Sequence, residues 1–139
     1  MEYKRFGNEI VARMDVGDEI IEQVGVIAEK ENIKLAQINA LGAIGEFTVG
    51  AYNVGEQKYY KSDYTGAWEV VSLHGSITQM DGKPYFHLHL SASDEEGRTV
   101  GGHLNRAVIC GTCEMFISVI DGEVDRMKDD YTGLNVFKF

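Results

Sequence analysis

The sequence predicts an α/β domain of the α+β kind, a mostly antiparallel sheet with at least one packed helix. Three observations carry this. Several segments alternate apolar and polar residues at the period of a half-buried strand, most regularly residues 85–93. Residues 15–32 place apolar side chains at helical spacing instead. Sixteen glycines and a single proline supply tight turns without a proline-rich linker. A chain of 139 residues with 44% hydrophobic content fits one domain, residues 1–139, with its own core.

In chain order, residues 6–14 read as a first strand. Asp15 is placed to cap a helix, with Asp18 and Glu19 at the positive end of its dipole. Val16, Ile20, Val24, Ile27 and Ala28 form the buried stripe, and Asn32 is the stop. Residues 34–41 and 46–52 read as two strands joined by a turn over residues 42–45. Gly42 and Gly45 match no phosphate-binding spacing. Residues 53–66 are polar and tyrosine-rich, an irregular excursion or edge strand in which Tyr59, Tyr60 and Tyr64 could line a pocket or an interface. Strands follow at 67–73 and 75–80, then Asp81-Gly82, a hairpin signal. After the strand at 85–93 comes a turn at 94–97. Residues 104–110 lead into an apolar strand at 114–120, 124–130 are polar, and 134–139 close the sheet.

The chemistry concentrates in one place. Three of the four histidines fall at His87, His89 and His103. Side chains two apart on a strand share a face, so His87 and His89 point one way while Leu88 and Leu90 enter the core. His103 returns after a turn carried by Gly101-Gly102. Three imidazoles with an open position are the pattern of a catalytic zinc, and imidazole suits copper, iron and nickel as well. The plainer alternative is a polar face whose histidines bond to one another and to backbone. His74 stands outside the set as a structural histidine unless the fold brings it near.

Other classes are disfavoured. A net charge of −9 opposes direct nucleic-acid binding, which depends on cations displacing phosphate counterions. No segment reads as a signal peptide or a membrane span, so the expectation is a cytoplasmic protein. Cys110 and Cys113 form a C-x-x-C, but their flanks look extended and do not open a helix as a redox motif requires. Two buried thiols are the expectation there.

Several stretches together resemble the PPC domain, the plant and prokaryote conserved family. They are Arg13 with Gly17-Asp18-Glu19, residues 38–43, and Gly66-Ala67-Trp68-Glu69-Val70-Val71. The last is similar to the plant signature Gly-Arg-Phe-Glu-Ile-Leu, with Ala67 and Trp68 departing from it. The histidine segments and Tyr131-Thr132-Gly133-Leu134 complete the likeness. The resemblance implies a homotrimer and a metal, zinc or another divalent transition ion, on His87, His89 and His103. In plants an AT-hook beside the domain contacts DNA, and this chain has no Arg-Gly-Arg hook. The family's DNA-associated regulatory label would rest here on analogy alone.

A looser resemblance joins the chain to alpha-acetolactate decarboxylase, which also holds a catalytic zinc on a His-x-His strand and a later histidine. It implies a lyase or hydrolase acting on a small carbonyl ligand. Glu69 and Glu114 are then the candidate general acids or bases, and Arg98 and Arg106 the candidate holders of an anionic substrate.

Overall fold

The computed structural model describes residues 1–139. Eight strands and one helix form a single mixed sheet around one core. The strands are β1 (Glu2–Phe6), β2 (Glu9–Met14), β3 (Ala36–Asn53), β4 (Lys58–Met80), β5 (Lys83–Ser93), β6 (Thr99–Val119), β7 (Asp125–Lys128) and β8 (Asn135–Lys138), and the helix α1 is Ile20–Lys30. The order runs β1-β2-β6-β3-β4-β7-β8, with β5 paired to both β4 and β6. Strands β3, β4, β5 and β6 therefore close a ring. All pairings are antiparallel except the bridge between Gln79 and Asp125.

Three strands are longer than the sequence suggests. The expected turn at residues 42–45 lies inside β3, which stays paired on both sides and absorbs the irregularity as bulges near Gly42 and between Ile44 and Glu46. The irregular excursion expected from residue 53 shrinks to a short turn, because β4 starts at Lys58 and continues to Met80. Likewise β6 runs unbroken through the C-x-x-C. Bulged strands bend without giving up their pairing, so local glycine signals that read as turns become corners of a closed ring.

Gly101-Gly102 is the clearest case. These residues are not a turn; the turn is clasped upstream by Asp94, whose carboxylate accepts from the backbone N–H groups of Glu96 and Arg98. Both glycines lie in β6 where it passes between β5 and β3. A Cβ on Gly101 would stand 2.6 Å from the Leu90 carbonyl oxygen, and one on Gly102 would stand 2.6 Å from that of Gly50. Only a residue without a side chain lets three backbones converge there. The next residue in the strand is His103.

The N-terminal segment is a hairpin, β1 and β2, not one strand. Asp15 does not cap the helix. Glu19 does, accepting from the Glu22 N–H at 2.8 Å with one oxygen and from the Ala107 N–H at 2.9 Å with the other. One carboxylate thus serves a helix orphan and pins α1 to β6. Val16 is exposed, while Ile20, Val24, Ile27 and Ala28 are buried as the helical spacing predicts. Asn32 follows the helix with a left-handed backbone, φ 50°. Asp81 and Gly82 both take positive φ, as a tight hairpin requires.

A core of 26 buried residues draws on the helix and on β2 to β6. Leu88, Leu90 and Ala92 of β5 are in it, so the opposite face of that strand carries the histidines. No helix is long and apolar enough to cross a membrane.

Candidate metal centre

Two features of β5 and β6 assemble the centre. Strand alternation puts His87 and His89 side by side, and register places His103 directly across from His89. The three ring centroids lie 5.1, 5.2 and 5.6 Å apart. One ligating nitrogen from each falls within 4.8 Å of the others. The His87 and His89 Nε2 atoms are 3.2 Å apart.

The spacing of that pair fits a shared ion. Two nitrogens bound at 2.0–2.1 Å to a tetrahedral centre stand about 3.3 Å from each other. The donor set fits as well. Burial, with the neighbouring His103, Arg126 and His89, pushes the His87 imidazole down to about 4. Burial and His89 lower His103 also. At neutral pH both rings are uncharged and keep a lone pair free for a cation.

His74 is opposite His89 on β4, so the fold does bring it near. Its Nδ1 lies 3.0 Å from the Ser72 hydroxyl, and it is not one of the three residues whose nitrogens converge.

The histidines open onto a cavity of about 510 Å³. His87 and His103 form part of its wall, with Tyr52, Tyr59, Tyr85, Arg126 and the β8 segment. The three tyrosines of the polar stretch separate in role. Tyr59 meets His103 edge to face at 6.1 Å and accepts a hydrogen bond from Asn105 Nδ2 at 2.7 Å. Tyr64 stacks on Phe47 and packs against Trp68. Tyr60 is exposed and donates to Glu56.

The carboxylates and arginines singled out in the sequence do not gather at the histidines. Glu69 pairs with Ser93, four residues beyond His89 and so about 13 Å along β5. Glu114 sits near the far end of β6, opposite Arg13 and Leu41. Arg98 holds Asp94 at 2.7 Å and Glu96 at 3.3 Å, clasping the β5–β6 turn. Arg106 reaches Glu46 at 3.4 Å.

Arg126 is the cation that does line the cavity, and sequence reasoning missed it. It lies in a polar stretch that gave no sign of burial, yet it is 8% exposed. No sequence signal marked it: in the four-residue strand Asp125–Lys128 it alone is buried, beside an exposed Met127.

Cys110 and Cys113 are free thiols within β6, the first exposed and the second buried. The expectation of two buried thiols therefore holds only for Cys113, because their odd spacing sends the two side chains to opposite faces of the strand.

Comparison with known proteins accords with this picture. The Plants and Prokaryotes Conserved (PCC) domain matches residues 1–121. No curated protein matches the chain. Among solved structures, a Bacteroides thetaiotaomicron protein with a provisional DNA-binding name is 27% identical, with a TM-score of 0.96 over 99% of this chain and 96% of that one. The metal-containing protein AF0104 of Archaeoglobus fulgidus is 30% identical, with a TM-score of 0.90 over 99% of this chain and 97% of that one. Alpha-acetolactate decarboxylase of Bacillus subtilis is similar in fold alone, at 15% identity and a TM-score of 0.59 over 88% of this chain and 57% of that one. The family match, spanning most of the chain and both histidine segments, means that this protein belongs to the Plants and Prokaryotes Conserved domain family.

Proposed function

We propose that the chain is a metal-binding member of this family that assembles as a homotrimer. It holds a zinc-type divalent ion on His87, His89 and His103 and leaves a position open toward the cavity for a small-molecule ligand. The observation that carries the reading is the convergence of three ligating nitrogens within 4.8 Å. The metal-containing Archaeoglobus relative supports it. When bound, such an ion supplies a Lewis acid that polarises a carbonyl or lowers the pKa of water. The chain's own contribution is to keep two of the rings neutral and to wall the site with aromatic side chains.

A decarboxylase-like or hydrolytic reaction on a small carbonyl substrate is the second reading, favoured by the shared fold and the open cavity. Its acid or base would have to come from groups other than Glu69 and Glu114 as they stand in one chain. The DNA-binding name of the Bacteroides relative is opposed here by the net charge of −9 and by the pairing of Arg5, Arg13, Arg98 and Arg106 with carboxylates.

Titration of metal-free protein with Co²⁺, followed by visible absorption, tests the centre. A band saturating at one equivalent per chain, displaced by Zn²⁺ and absent from His103→Ala, is the expected result. No band in the parent would sink the reading.

A further inference from the structure

Of the five arginines in the chain, four are paired with carboxylates. Arg126 is not. Its guanidinium is held from three sides. Nε donates to the Thr78 hydroxyl and Nη1 to the Asn135 carbonyl, both at 2.8 Å. The Tyr85 and Phe137 rings sandwich it, with centroids 4.6 and 4.5 Å away. Nη2 is buried and has no acceptor.

A buried charge without a counter-ion is costly, and an unsatisfied buried donor adds to that cost. Proteins keep such groups where something else completes them. Arg126 borders the cavity that also contains His87. It packs on Tyr85, which shares a strand face with His87 two residues on, about 7 Å along β5. With Nε and Nη1 engaged, the guanidinium is held in place and keeps donor capacity, on Nη2 above all, for an anion such as a carboxylate.

We propose that Arg126 is the recognition residue of this cavity and that its ligand is a small carboxylate bearing a second oxygen a few bonds away. The carboxylate pairs with the guanidinium, and the second oxygen extends toward the histidines. The aromatic wall holds the carbon chain between them. The inference rests on the metal reading for the second oxygen only; the pairing of acid with Arg126 stands without it.

The test uses 4-oxopentanoate and 3-hydroxybutyrate against their uncharged amides, by calorimetric titration. Parent, Arg126→Met and Arg126→Lys are compared, each metal-free and zinc-loaded, with zinc per chain measured on the same samples. The parent is expected to bind the acids at least 10-fold more tightly than the amides, in both metal states. Arg126→Met should bring that ratio near one while zinc content stays unchanged. Arg126→Lys should keep part of the preference. Should Arg126→Met fail to fold, the guanidinium NMR resonances of Arg126 in the parent must shift with acid and not with amide. Equal binding of acid and amide, no binding of either acid, or an acid preference that survives Arg126→Met would each overturn the proposal. A parent that takes up no zinc but prefers acids through Arg126 would remove the metal reading and leave this one standing.

Discussion

His89 Nε2 lies 3.2 Å from His87 Nε2, on two side chains of one strand that face away from the core. The contact is either a hydrogen bond between the two rings or the edge of a coordination polyhedron. Register decides which residues could share it, because β6 brings His103 opposite His89 and β4 brings His74 to the same level. Only His103 converges with the pair.

That asymmetry separates ligands from neighbours. Replacing His87, His89 or His103 by Ala should weaken Zn²⁺ binding by more than about 100-fold, since loss of even an outer-shell partner commonly costs 10- to 100-fold. His74→Ala should change it little. Competition with a chelating dye checks all four variants.

Metal-free protein should lose stability in acid through His87. Its ring titrates near 4 in the folded chain, against 6.5 for the ordinary group. Above pH 6.5 the ring is neutral in both states and contributes no penalty. As pH falls from 6.5 through 4, the unfolded chain takes up a proton that the folded chain resists, so stability drops across that window. Urea midpoints measured between pH 7 and 4 should fall, and His87→Gln should flatten the slope.

How much of this was legible in the sequence depended on the range of each signal. Strand alternation and the helical stripe are local, so β5, α1 and the Asp81-Gly82 turn were readable, as were the three histidines. The family likeness was readable from its motifs. Strand continuity was not. Gly42, Gly45 and Gly101-Gly102 look like turns in sequence, and only their pairing on both sides makes them corners of a ring. Arg126 was invisible for a similar reason. Its burial is created by Thr78, Tyr85 and Phe137, which lie on three other strands.

The crossing of β5, β6 and β3 should tolerate no side chain. Gly102→Ala meets the Gly50 carbonyl oxygen. Backbone on the far side cannot give way cheaply, so a loss of about 1–3 kcal/mol is expected. Displacement of His103 should lower metal affinity as well. Denaturant midpoints and zinc titration of the same variant measure the two effects together.

The C-x-x-C should behave as two unlike thiols. Burial, with Glu114 beside it, pushes the Cys113 thiol up to about 12. Native protein treated with iodoacetamide should carry one adduct, on Cys110, and a second only after unfolding. Rapid labelling of both in the native state would contradict this placement.

The most direct test of the central claim is the metal content of the protein purified without added metal or a histidine-rich tag, measured with its mass by light scattering. The account predicts close to one divalent ion per chain in a particle of three 15.5 kDa chains, with the ion lost in both His87→Ala and His103→Ala. A metal-free parent that also fails to take up zinc on titration would contradict it, and the histidine face would then be a hydrogen-bonded polar surface.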